Sequence, residues 1–175
     1  ASAWYCIHKI KRRGDPREQI PKAALLAAAF FTASLILIPM PPASVHLVLG
    51  GLLGAVLGYF AFPAILVALF FQAVMFGHGG LTTLGINGVI LGLPSLLSAM
   101  IFRGQTRLPH PTPGRTALFG FVAGAIATAI SAFLFILFLY NTIPAHLDAT
   151  AERSAIITLG LLHTPVVIIE GIVTA

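Results

Sequence analysis

The fold is decided by residues 45–76, which read VHLVLGGLLGAVLGYFAFPAILVALFFQAVMF and contain no charged side chain. An α-helix needs about 20 apolar residues to cross the hydrocarbon core of a bilayer. This stretch is too long for one simple span, and Gly58 and Pro63 indicate a break within it. We therefore expect two helices, residues 45–58 and 63–76, that run in opposite directions.

The composition of the whole chain supports a membrane protein. Hydrophobic residues make up 58% of the sequence and charged residues only 9%, whereas soluble domains carry roughly 25% charged residues. Strands of a membrane β-barrel alternate apolar and polar residues over about 10 positions, but the apolar runs here are continuous. The sequence thus predicts an all-α, polytopic transmembrane helical bundle.

The other apolar runs also have the length of membrane helices, and polar or proline-rich segments separate them. The expected helices are residues 23–38, 45–58, 63–76, 86–102, 116–140 and 154–175, with residues 1–8 as the end of an incomplete first helix. We find no internal repeat. The prediction is about six helices in a single integral-membrane domain, residues 1–175, which we expect to be truncated at both ends.

The positive charges predict the orientation of the bundle. The chain has a formal net charge of +5, and nine of its ten Lys and Arg residues lie in the segments 9–22 and 103–115. Basic loops remain on the cytoplasmic side, so we place both segments inside. Residues 39–46 and 77–85 then lie outside. Two basic blocks beside apolar runs indicate membrane topology, and we expect no nucleic-acid partner.

Few polar side chains lie at membrane depth, where each one is costly. His46 and His78 are predicted in the two outer segments, and imidazole is a favoured ligand of divalent nickel, cobalt, copper and zinc. The alternative for each is a helix-end histidine bonded to a backbone carbonyl. For His46, Ser44 and the adjoining Pro-Pro turn are expected to orient the ring.

Two further polar residues, His163 and Glu170, are seven positions apart and therefore share one face of the last helix. Two interpretations are open: a path for protons or cations, or a polar pair that locks helices together. The partner of Glu170 is expected to be either His163 or a residue of a neighbouring helix.

The first complete helix carries small residues at four-residue spacing, which lets helices approach closely in lipid. An ordinary alanine-rich helix is the alternative. The residues concerned are Ala23, Ala24, Ala27 and Ala28.

No sequence motif predicts catalysis. The chain contains neither the GxxxxGK[ST] phosphate-binding loop nor the His-Glu-x-x-His pair of metalloproteases. The Gly-His-Gly-Gly of residues 77–80 has no accompanying G-x-S-x-G nucleophile. We do not expect an enzyme, and we expect no resident cofactor.

Residues 71–87, FQAVMFGHGGLTTLGIN, closely resemble a signature of CbiM and NikM, the substrate-binding membrane subunits of energy-coupling factor importers for cobalt and nickel. The SVHL of residues 44–47, followed by GGLLG, is similar to a second signature. Residues 163–171, from His-Thr-Pro-Val through Glu-Gly, are similar to a third. The resemblance extends in order over essentially the whole chain.

The resemblance implies a helical bundle that captures Co²⁺ or Ni²⁺ on the outer face with nitrogen ligands. These are the N-terminal amine, a histidine at the second position and the residue that corresponds to His46. The Met-His start is not among residues 1–175. Ser44, His78 and Asn87 would support the ligand or position its loop, and the loop glycines would let that loop pack closely over the site.

The resemblance also implies a location in the plasma membrane of a prokaryote, and it implies partners. They are a membrane coupling subunit of the CbiQ or NikQ type, a cytoplasmic ATPase of the CbiO or NikO type, and a small accessory membrane subunit of the CbiN or NikN type. The alanine face of the first complete helix is the candidate contact with the coupling subunit. A metal-free scaffolding subunit and a small membrane enzyme are the alternatives from other classes.

Overall fold

The computed structural model describes residues 6, 16–40, 43–77, 80–107 and 112–175. The expected helix at residues 1–8, most of the first basic segment and His78 lie outside these residues, apart from Cys6, which is helical and buried. Six α-helices form the described bundle: α1 Ile20–Ala33, α2 Gly50–Leu57, α3 Ala61–Phe76, α4 Leu84–Gly104, α5 Pro113–Asn141 and α6 Ala149–Thr174. Short 3₁₀ turns lie at Pro16–Glu18, Gly58–Phe60 and Gln105–Arg107. The all-α bundle predicted from the sequence is confirmed.

Four stretches are long and apolar enough to cross a membrane: Gly50–Phe76, Leu84–Gly104, Pro113–Asn141 and Ala149–Thr174. Many large apolar side chains face outward, among them Leu25, Met100 and Leu161, each more than 60% exposed. Such a surface is unfavourable in water and is the stable one in lipid. The protein is therefore a multi-pass membrane protein.

The stretch Gly50–Phe76 is divided into two helices, as its sequence predicts. Along α2, Gly50 lies against Leu91 and Gly54 against Ser95, so α2 runs parallel to α4. Along α3, Phe62 lies against Gly92 and Leu66 against Gly88, so α3 runs antiparallel to α4. Gly58 lies between α2 and α3. Its φ is 62°, a conformation that glycine adopts at little cost. The two helices thus return along α4 in opposite directions.

The predicted helix at residues 23–38 is wrong at its C-terminal end. Helix α1 ends at Ala33, and the strand β1 Leu37–Met40 pairs antiparallel with β2 Ala43–His46. Pro39 lacks the amide hydrogen that a continuing helix needs and disfavours helical geometry at the preceding residue. The resulting hairpin places His46 directly opposite Leu37.

The helices meet through contacts at small residues. A Cβ at Gly51 of α2 would lie 2.5 Å from the Gly124 Cα of α5, and one at Gly124 would lie 2.8 Å from the Glu170 carbonyl of α6. The Ser98 hydroxyl of α4 donates to the Gly51 carbonyl at 2.7 Å. These close approaches join α2, α4, α5 and α6 beneath the segment that carries His46.

Candidate metal site

His46 lies at the end of β2, just before the segment that leads into α2, and is half-buried. Its Nδ1 is 2.8 Å from the Ser34 carbonyl oxygen. Because a carbonyl only accepts, Nδ1 must carry the proton, and in the neutral ring Nε2 then has the lone pair. This is the arrangement that orients metal-binding histidines.

The carbonyl partner of His46 is itself held in place. The Ser34 hydroxyl donates to the Phe31 carbonyl at 2.7 Å, and the Gln72 amide donates to the same hydroxyl. Gln72 is only 2% exposed. Sequence reasoning missed both residues, although a lone amide in the otherwise apolar α3 was a usable signal.

Ser44, which the sequence suggested would orient His46, has a different described position. Its backbone pairs with Pro39 across the hairpin, and its side chain lies outside the described part of the structure. The orienting group identified by the structure is Ser34.

Glu170, in the last part of α6, is completely buried. Its Oε1 accepts hydrogen bonds from the backbone amides of Val48 at 2.5 Å and Leu49 at 2.7 Å. Leu49 has a φ of 50° and directly precedes α2. The carboxylate thus ties α6 to the segment that follows His46.

Of the two partners considered for Glu170, the structure shows hydrogen bonds to the segment that precedes α2. Among the described residues no hydrogen bond joins Glu170 to His163, whose Nδ1 instead lies 2.8 Å from the Leu159 carbonyl. Seven residues correspond to about 10 Å of rise along a helix, which is too far for a direct bond. The two side chains share a helix but not a hydrogen bond.

A cavity of about 300 Å³ lies beside His46 and is lined by residues of α3, α4, α5 and α6. Its polar lining consists of His46, Asn87, Thr128, Ser131 and His163. The structure therefore brings together three residues that the sequence singled out. It adds Thr128 and Ser131, which no motif marked. In the described part of the chain, no group of three or more His, Cys, Asp or Glu side chains is placed to hold a metal ion.

The loop between α3 and α4 corresponds only in part to expectation. Asn87 lines the cavity, and its amide donates to the Thr83 hydroxyl at 3.3 Å. A Cβ at Gly77 or Gly85 would meet nothing within 4 Å, so the predicted close packing at these glycines is wrong. Gly77 instead ends α3 with a φ of 65°, a conformation that favours glycine.

The alanine face of α1 divides between the interior and the surface. Ala27 is buried in a core cluster with Phe30 and Ile65, and Ala23 packs against it. Ala24 and Ala28 are exposed and line an apolar groove between α1 and α3. Part of the face is thus used within the chain, and part remains on the surface.

The whole chain, residues 1–175, matches the family described as "CbiM: Cobalt uptake substrate-specific transmembrane region". It is 34% identical over 162 residues to a "Putative metal transport protein" of Haemophilus influenzae, covering 90% of this chain and 73% of that protein. It is 28% identical over 174 residues to the "Cobalt transport protein CbiM" of Clostridium tetani, covering 96% of this chain and 70% of that one.

A crystal structure of a truncated transition metal transporter has the same fold, with a TM-score of 0.72 and 22% identity. The match covers 99% of this chain and 84% of that one. Two relatives are fusions. The "Putative fused cobalt transport protein CbiMQ" of Methanocorpusculum labreanum is 30% identical over 89% of this chain and 27% of its own. The "Fused nickel transport protein NikMN" of Rhodobacter capsulatus is 32% identical over 59% of this chain and 31% of its own.

Proposed function

Because the chain belongs to the CbiM family of cobalt-uptake membrane proteins, we propose that it is the substrate-capture subunit of an ATP-driven energy-coupling factor importer. Members of this family are membrane components of cobalt and nickel transport and are not enzymes. The divalent ion is therefore the transported substrate. In this proposal Co²⁺ or Ni²⁺ is captured on the outer face and released inward when the bundle reorients.

The orientation of His46 is the observation that carries the proposal. Its Nδ1 donates to the Ser34 carbonyl, so in the neutral ring the lone pair lies on Nε2, the nitrogen that we propose as the ligand atom. Nickel and cobalt both accept imidazole nitrogen. We propose that His46 is one of a set of nitrogen ligands, the others being those that the resemblance implies, an N-terminal amine and a histidine at the second position. His78 and Asn87 would position the loop over this site, and Ser44 would support the hairpin that carries His46.

The partners belong to the same proposal. The sequence contains no GxxxxGK[ST] loop, so ATP hydrolysis is assigned to a cytoplasmic subunit of the CbiO or NikO type. The names CbiMQ and NikMN of the fused relatives support a membrane coupling subunit of the Q type and a small accessory subunit of the N type.

Metal binding by the full-length protein in detergent tests the proposal. We would titrate Ni²⁺ and Co²⁺ by calorimetry into the parent, His46→Ala and His146→Ala, the last being a matched control in the exposed loop before α6. We expect one-to-one binding in the parent and in His146→Ala and its loss in His46→Ala. Binding that is absent in the parent, or unchanged in His46→Ala, would contradict the proposal and favour a scaffolding subunit.

A further inference from the structure

The cavity beside His46 extends to membrane depth. Thr128 and His163, which line it, lie near the middle of α5 and α6. His46 and Asn87 line its other part. His46 belongs to the outer segment 39–46, and Asn87 lies two residues beyond the outer segment 77–85. The cavity is therefore the space next to an ion that leaves His46.

The imidazole of His163 is oriented and protonated in a way that suits a ligand in the cavity. Its Nδ1 donates to the Leu159 carbonyl at 2.8 Å, because the carbonyl can only accept. In the neutral ring the lone pair then lies on Nε2. The ring is thus held by the same type of bond that orients His46, and imidazole nitrogen is a good donor to divalent nickel and cobalt.

Thr128 gives an independent indication that the cavity receives a polar occupant. The residue is 4% exposed, and its hydroxyl has no hydrogen-bond partner among the described residues. Leaving a buried hydroxyl unpaired costs about 1–3 kcal/mol. A hydrated ion in the cavity would supply the missing partner.

The volume of the cavity suits a passing ion. A water molecule takes roughly 30 Å³ of liquid volume, so about 300 Å³ holds a divalent ion with a shell of waters. Below it, Gly51, Gly124 and the Glu170 carbonyl are in close contact. One imidazole with neutral oxygen donors makes a weak site, which lets an ion both enter and leave.

We propose that this cavity is an intramembrane transit site for the divalent ion, with His163 Nε2 as a direct ligand and Thr128 as a hydrogen-bond partner of its waters. The proposal rests on the capture function proposed above. It assigns to His163 a step that follows capture, so its loss is expected to slow import and to spare binding at His46.

The test measures both capture and import in the complete importer. His163→Asn is the informative variant, because its amide can still donate to the Leu159 carbonyl while the Nε2 ligand is removed. Thr128→Val removes the hydroxyl at nearly constant shape, and His146→Asn is the control. One-to-one metal binding is measured by calorimetry, and uptake of radiolabelled Ni²⁺ or Co²⁺ is measured in proteoliposomes.

We expect His163→Asn to retain binding and to import at least about tenfold more slowly, which corresponds to about 1.4 kcal/mol on the barrier. Thr128→Val should slow import less. Parental uptake by His163→Asn would overturn the transit site and leave the capture function standing, whereas His46→Ala with intact binding would overturn the capture function. If His163→Asn lost binding as well, Thr128→Val would decide: slower import with intact binding supports the transit site, and parental import refutes it.

Discussion

The carboxylate of Glu170 connects two parts of the chain that are 122 positions apart, by bonds to the amides of Val48 and Leu49. Its second oxygen is buried and has no partner in the described part of the structure. An acidic side chain in this position therefore acts as a fixed acceptor. It holds the segment that follows His46.

Replacing Glu170 is expected to affect stability and the site together. In Glu170→Ala two amides lose their acceptor, at about 1–3 kcal/mol for each buried group. Glu170→Gln keeps a carbonyl oxygen in the same place. We expect the alanine variant to unfold at a lower temperature and to bind metal more weakly, and the glutamine variant to resemble the parent in both measurements. Equal unfolding temperatures and equal metal affinities in the two variants would show that the acceptor oxygen at position 170 does not determine stability or binding.

At the scale of elements, the packing of α2 on α4 depends on Gly54. A Cβ there would lie 1.9 Å from the Ser95 carbonyl oxygen, so Gly54→Ala must push the two helices apart. Overpacking of this kind costs about 1–3 kcal/mol. Gly85→Ala is the matched control, because nothing lies within 4 Å of its Cβ position. We expect a lower midpoint of thermal unfolding in detergent for Gly54→Ala and an unchanged or higher one for Gly85→Ala.

The exposed part of the alanine face on α1 leads to a prediction about assembly. Ala24→Leu combined with Ala28→Leu would fill the groove between α1 and α3 without disturbing the buried Ala27. We expect these changes to reduce co-purification of the coupling subunit, since bulky side chains prevent close helix approach. Metal binding should be retained.

Ala29→Leu is the control for that experiment, because Ala29 is also exposed on α1 but is not a member of the predicted face. If both sets of variants assembled with the coupling subunit as well as the parent, the contact would have to lie elsewhere.

For the molecule as a whole, the charge distribution and the fold agree on which helix ends lie together. The guanidinium of Arg103, at the end of α4, lies 5.2 Å from the ring centroid of Tyr59, in the turn between α2 and α3. At the C-terminal end of α5, the guanidinium of Arg153 in α6 lies 5.2 Å from the ring centroid of Tyr140. The basic end of α4 and the turn at Tyr59 thus belong to one face of the bundle.

Labelling of single cysteines checks this orientation. In a Cys6→Ser background, Thr106→Cys and Ala145→Cys place thiols at two exposed positions on opposite faces. A membrane-impermeant maleimide is expected to react with Ala145→Cys in intact cells and with Thr106→Cys only after permeabilisation, because basic segments remain inside. The reverse labelling pattern would show that the bundle has the opposite orientation, and His46 would then lie on the inner side.

Local composition and pattern were sufficient for several features. The uncharged run at residues 45–76 predicted membrane helices, and the glycine and proline within it predicted the break that the structure places at Gly58–Phe60. His46 was identified as a candidate because polar side chains are rare and costly at membrane depth. The end of α1 was misplaced, because the apolar residues 35–38 are compatible with a helix, whereas residues 37 and 38 pair with β2 in the hairpin.

The tertiary structure decided how the site is assembled. The Gln72–Ser34 bond joins residues 38 positions apart, and the Glu170–Val48 bond joins residues 122 positions apart. Thr128 and His163 reach the same cavity only because α5 and α6 pack against each other. A sequence records the propensity of each residue and its near neighbours, whereas these contacts depend on the packing of distant helices. The sequence by itself thus determined a membrane bundle with His46 as its candidate ligand, and only the packing showed what holds and surrounds that histidine.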